Sequence, residues 1–407
     1  MVGHMVVSLL LLRLVVSDIP GDLAKAAGCG DECSLTADTK AGTDANGVPL
    51  RVLHLSRGPH ENEAGVECER EEYWLAVGTK GRKWKQLLSL CNDGYGSAGV
   101  GEDDVKVKPN RLIHEQFGGA SSRVSTVREF QLEPPALLTT TTALFQSSAP
   151  QFVDETKWSW DTFSGERSRF FSKCTEDGQP DLREELKPKP LKSTLIPKIA
   201  VTKQWVEQGW KESSLGQCGG RATYLLQGAP GGDADSALKV LAISDTDFVF
   251  EITDDAVTPG DVLQVWLGEQ APNPWDGCVG KSPFIPAQWL VQISTGQGSR
   301  GANARFGAPV SEVVPFAGGV RLKLKLPEGV YPAMTFAFAD SDDGKTVERT
   351  LATSQLQQTQ LVSLGVLHAI ERRVAICEVA DGVLTPRRPP LPKKGPLFPG
   401  NVTSGVK

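Results

Sequence analysis

Residues 233–267 carry the clearest hydrophobic alternation in the chain, DADSALKVLAISDTDFVFEITDDAVTPGDVLQVWL. Three short β-type runs stand out, at 238–243, 248–253 and 262–267. Phe248, Phe250 and Ile252 alternate with Val249, Glu251 and Thr253, while Leu263, Val265 and Leu267 alternate with Gln264 and Trp266. A period of two predicts strands with one buried face. Asp245-Thr246-Asp247 and Thr258-Pro259-Gly260-Asp261 separate the runs with turn formers. Later, Val320, Leu322, Leu324 and Leu326 alternate with Arg321, Lys323 and Lys325, so the basic row is expected outside, solvated or facing an anionic partner. Strand-like runs also fill the first half, at 51–56, 73–77, 84–91, 105–107, 111–115 and 123–132. The fold expected is all-β, with two β-rich domains and the C-terminal one an antiparallel β-sandwich.

Composition shifts set the boundaries. Residues 1–26 hold the apolar run MVVSLLLLRLVV and an A-x-A-like Ala24-Lys25-Ala26, which read as a secretory signal segment. The run is too short for a membrane span of about 20 residues. Residues 27–48 form a polar lead, 49–174 an N-terminal β-domain, and 175–194 a charged, proline-bearing linker. Residues 195–381 form the sandwich, and 382–407 a proline-rich tail with extended character. Within 153–171, Trp158, Trp160, Phe163, Phe170 and Phe171 make the densest aromatic cluster, either a stacking platform or a core strand.

The acidic approach 233–239, the strand ending in Asp254-Asp255, GDVLQVWL, and MTFAFADSDDG at 334–344 with its return strand through 349–354 carry a resemblance. Over roughly residues 195–380 the chain resembles the family 9 type of carbohydrate-binding β-sandwich and related sandwiches of bacterial envelope proteins. The segment RLIHEQFGGASSRVSTVREFQL, residues 111–132, is faintly similar to small bacterial envelope β-domains. The resemblance implies a fold and points to a polysaccharide or envelope component as partner.

Eight cysteines with no CxxC pair favour disulfides in an oxidising compartment over a zinc site. The pairings expected are Cys29–Cys33, Cys68–Cys91 and Cys218–Cys278, with Cys174 and Cys377 unassigned. A formal charge of −6 lacks the basic stripe of a nucleic-acid binder. Gly94–Gly99 and Gly296–Gly301 both spell GxGxxG, but no helix pattern follows either, so no nucleotide site is expected. Neither a GxSxG elbow nor an HExxH motif occurs, and His54, His60, His114 and His368 are scattered.

Two site expectations remain. Trp266 shares a strand face with Gln264, opposite the core parity, and Trp275 with Asp276 lies in a Pro- and Asn-rich loop. Exposed indoles stack on sugar rings, so these residues are the expected ligand-binding platform. Asp340-Ser341-Asp342-Asp343-Gly344 half-matches a D-x-D-x-D-G calcium loop, which makes Asp340, Asp342 and Asp343 the candidate metal ligands, although Asp343-Gly344 also suits a plain hairpin turn. No other cofactor is expected. The sequence reading is an exported, non-catalytic envelope protein, secreted or periplasmic, with lipid anchoring open, without an integral membrane domain. The alternatives are a dedicated polysaccharide binder and an unconventional secreted hydrolase.

Overall fold

A computed structural model describes residues 19–61, 67–77, 83–92, 102–119, 122–146, 149–169, 172–173, 191–228, 236–268, 278–279, 289–294, 298–301, 310–326, 333–355 and 375–387. Within them the chain is all-β, built from several antiparallel sheets. In the first half, Cys33–Thr43, Pro49–Glu61, Glu67–Val77 and Lys83–Asn92 form a four-stranded meander. Glu102–Lys108, Arg111–Gly119, Ser122–Leu132, Pro135–Gln146, Ala149–Ser159, Ser164–Arg169 and Leu191–Thr194 follow as a seven-stranded one, each strand pairing with the next. Turn chemistry fixes such hairpins. The Asp44 carboxylate accepts the amides of Asn46 and Val48, and Gly47 supplies the positive φ that closes the turn.

The two meanders share a core. Leu50, Val52, Tyr73 and Leu75 of the first pack in one cluster with Leu112, Phe130, Leu132 and Trp158 of the second. Three of the expected aromatic cluster, Trp158, Trp160 and Phe163, belong here rather than to a stacking platform, and Phe170 and Phe171 lie outside the described residues. Trp158, Trp160 and Phe163 are buried, Trp158 meets Phe163 edge-on at 5.1 Å, and the Trp160 indole donates to Thr140. The short helix Gly21–Ala27 buries Leu23 in a separate cluster with Leu53, Leu55 and Trp74.

In the second half, Ala237–Ala242, Asp247–Thr253, Gly319–Lys325 and Val310–Phe316 form the main part of a five-stranded sheet. Tyr224–Gln227, Arg349–Ala352, Ala333–Asp340, Val262–Gly268, Trp289–Ser294 and Gly298–Gly301 form a six-stranded one. Their facing sides enclose Phe248, Phe250, Leu322 and Leu324 against Leu263, Val265, Phe336 and Phe338, all buried as the alternation requires. Phe336 bridges the sheets, with its ring centroid 5.2 Å from that of Phe248 and 4.9 Å from that of Phe250. Burying each such ring contributes about 1.5–3 kcal/mol.

The other face of the five-stranded sheet departs from expectation. Residues 203–212 coil into a π-helical turn, Trp205–Gly209, that runs on into Trp210–Glu212, and both tryptophans are buried. Because this segment covers the sheet, the basic row does not simply face solvent. Arg321 is buried, donating to Glu251 at 3.1 Å and to the Lys211 carbonyl at 3.0 Å, and Lys323 donates to the Val206 carbonyl at 2.6 Å. Lys325 remains exposed. Glu251 also accepts the Ser214 hydroxyl and the Leu215 amide, so the buried charge is paired and hydrogen-bonded as such burial demands.

The strands Ala375–Ala380 and Val383–Pro386 form a hairpin that closes this cover. The Leu384 amide donates to the Ser214 carbonyl and the Ser214 amide to the Gly382 carbonyl, and Cys218 is joined to Cys377 by a disulfide. This corrects the expected Cys218–Cys278 pairing. The C-terminal hairpin returns across the cover and delivers Cys377, whereas the backbone of Cys278 is drawn to the strand Ser172–Lys173. Cys29–Cys33 is bridged as expected. Cys68 is also disulfide-bonded, but the side chain of Cys91 lies outside the described residues.

Glu251→Gln would leave Arg321 as a buried charge without its anion. The expected loss of stability is about 3 kcal/mol, read by urea denaturation of the full chain, with the slope of the transition unchanged.

Candidate functional site

Strand parity determines what lies at one end of the sandwich. In Asp247–Thr253 the residues facing the core are Phe248, Phe250 and Ile252, and the next position of that parity is Asp254. Leu263 and Val265 continue backwards to Asp261, and Phe336 and Phe338 continue forwards to Asp340. The register pairs Val262 with Ala339, so Asp261 and Asp340 stand at adjacent strand ends. Three carboxylates therefore terminate the apolar core. Asp254, Asp261 and Asp340 are all buried, with one oxygen from each within 4.8 Å of the others.

The loops fix this layer. Residues 254–261 cross from the five-stranded to the six-stranded sheet. Asp254 Oδ1 accepts the Ala256 amide, and the Asp254 amide donates to the Gly318 carbonyl. Asp261 Oδ2 accepts the Thr258 amide at 2.6 Å and Oδ1 the Ser341 amide at 2.9 Å. Thr258 Oγ1 donates to the Ser341 carbonyl, locking the crossing loop against the turn after Asp340. Gly260 is required for this approach, since a Cβ there would stand 2.7 Å from the Gly344 backbone. Gly344 itself adopts φ +66°, which favours glycine.

Electrostatics oppose the arrangement. Burial pushes the Asp261 carboxyl above the usual carboxylate range, and the charge of Asp340 pushes the same way, against the lowering pull of the Thr258 and Ser341 amides. Two ionised carboxylates at this separation repel by about 3 kcal/mol at an effective dielectric near 20. Arg349 stands opposite Asp340 in the register of the neighbouring strand.

The expected metal ligands are divided by the fold. Asp340 belongs to the buried trio, and Asp342 joins a second group with Asp254 and the exposed Asp255. Asp343 takes another role. Its carboxylate accepts the Lys345 and Thr346 amides and both the Ser341 and Thr346 hydroxyls, so it shapes the turn. Those bonds hold its pKa below the ordinary aspartate value. Asp254, Asp255 and Asp261 join these groups although they are separated from Asp340 in sequence. For Asp254 and Asp261 the sequence signal is an aspartate continuing the core parity at the end of a strand.

Of the expected sugar platform, Gln264 lies half-buried in Val262–Gly268, and its backbone pairs with Ala337 and Gln292. The side chain of Trp266, and all of Trp275 and Asp276, lie outside the described residues.

A second polar cluster bears on catalysis. His114 is buried, with Nε2 2.7 Å from Asp103 and Nδ1 3.3 Å from Arg128 Nη1. Arginine only donates, so Nδ1 accepts and the ring proton sits on Nε2, facing Asp103. Both nitrogens are thus engaged, and neither is directed at a nucleophilic hydroxyl. Nearby, His54 stacks on Tyr73 at 4.4 Å and approaches Glu71 at 3.4 Å. The approach of the His54 ring holds the Glu71 carboxyl below its usual range, and burial drives the Tyr73 phenol far upward. Tyr73 belongs to the core shared by the two meanders. Comparison with protein-family models and with curated proteins returns no match.

Gly260→Ala is expected to destabilise the protein by about 1–3 kcal/mol, because the added methyl meets backbone rather than a flexible side chain. Gly318→Ala, where a Cβ meets nothing within 4 Å, is the comparison, charged only with the strain of φ +88°. A larger fall in Tm for Gly260→Ala checks the docking of the two loops.

Proposed function

We propose that the protein is an exported, non-catalytic component of a cell envelope, secreted or periplasmic, with the sandwich as a structural or interaction module. The observation that carries this reading is the Cys218–Cys377 disulfide. It joins residues 159 apart in the sequence, and both are buried in the cover over the five-stranded sheet. Disulfides of this kind persist in oxidising compartments and are rare in reducing ones. The Cys29–Cys33 bridge and the bonded state of Cys68 support the same compartment. Among the described residues no helix is long and apolar enough to cross a membrane. The engagement of both His114 nitrogens supports a non-catalytic role over a hydrolase centred there.

A polysaccharide is the partner this reading names first, with Trp266, Gln264, Trp275 and Asp276 as the residues proposed to receive it. Processing upstream of Gly21 fits export better than cleavage after Ala26, because the helix Gly21–Ala27 contributes Leu23 to a buried cluster.

Alkylation of the native protein followed by peptide mapping without reduction tests the compartment. The expected result is a linked Cys218–Cys377 peptide and an N-terminus that retains Leu23. Free, alkylated thiols at both positions would remove the support for export. Retention on insoluble polysaccharide that is lost in Trp266→Ala or Trp275→Ala would identify the partner, and absence of retention would leave the structural role.

A further inference from the structure

We propose that the buried layer formed by Asp254, Asp261 and Asp340, together with the hydroxyl of Ser236, binds one hard divalent cation of the size of calcium. The four residues come from different places in the fold. Asp254 continues a strand of the five-stranded sheet, and Asp261 and Asp340 terminate strands of the six-stranded one. Ser236 is an independent pointer. The register pairs Ala237 with Thr253, so Ser236 is the next position opposite Asp254, and it shares the core parity of Leu238 and Val240. Its hydroxyl is buried, with no hydrogen-bond partner, on the face into which the carboxylates project. A buried hydroxyl is rarely left unsatisfied, and an oxygen-bound cation or its water would engage it.

The donor set selects the class of ion. All four side chains offer oxygen, and neither histidine nor cysteine belongs to the group, which disfavours zinc and copper. Calcium accepts six to eight oxygens in flexible geometry, whereas magnesium demands a near-ideal octahedron and keeps several waters. A cation here would neutralise the like charges at the end of the core and tie the two sheets at the point where residues 254–261 cross between them.

The test uses the full chain stripped with EDTA and titrated with calcium chloride, followed by calorimetry and by thermal melting. One equivalent should bind, and Tm should rise by about 5 °C or more at saturation. Asp340→Asn and Asp254→Asn should each weaken binding by about tenfold or more, while Asp342→Asn binds as the parent does. The titration of the unaltered chain decides the question even where a variant fails to fold. No saturable binding would overturn the proposal. So would loss of binding in Asp342→Asn with retention in Asp340→Asn, which would put the ion on the exposed group. An equal response to magnesium would overturn the size selection. A chain indifferent to calcium but destabilised by Arg349→Gln would assign the counter-charge to that guanidinium and overturn the site.

Discussion

Side-chain parity along the strands of the sandwich is the constraint on which the rest depends. A strand turns alternate residues to opposite faces, and a slip of one residue would turn every core group outward. Phe248, Phe250, Leu263, Val265, Leu322, Leu324, Phe336 and Phe338 all obey one register, and two phenylalanines of one sheet meet Phe336 of the other. The same register, carried one step past the apolar residues, gathers Asp254, Asp261 and Asp340. The acidic layer is therefore a consequence of the core's geometry. It cannot be dispersed without shifting the strands that bury the phenylalanines.

The opposite face of the five-stranded sheet shows how the halves of the chain are joined. Leu241 and Val249 point away from the sandwich core and belong to the cluster that holds Trp205, Trp210 and Leu215, which continues to Trp158 and Leu195. Glu251 and Arg321 lie beneath this cover as a paired, hydrogen-bonded charge. Such a pair contributes little net stability against an apolar replacement, but it fixes the cover segment in one position. Its bonds to Ser214, Leu215 and the Lys211 carbonyl pull the helical turn onto the sheet, and the disulfide then closes the hairpin over it.

The legible part of the fold was the part governed by local alternation. Strands and core residues of the sandwich followed from the two-residue period, since neighbours in sequence set which face is buried. The cover was not legible in the same way. Arg321 and Lys323 look like solvated residues by their own strand, and only a distant segment rich in tryptophan buries one and half-buries the other. The Cys218–Cys377 pairing likewise depended on a hairpin returning from the end of the chain. For the acidic site, the motif at 340–344 directed attention to the correct turn but assigned its residues unevenly. Asp343 is consumed by the turn's own amides, and the residues that join Asp340 come from another loop, fixed by strand pairing.

The most direct measurement is the anomalous difference density of a crystal of the full chain grown with calcium. The expected result is a single peak at the end of the sandwich core, about 2.3–2.6 Å from oxygens of Asp254, Asp261 and Asp340. Carboxylates turned outward to solvent, or a layer closed on itself around Arg349 with no peak, would contradict it.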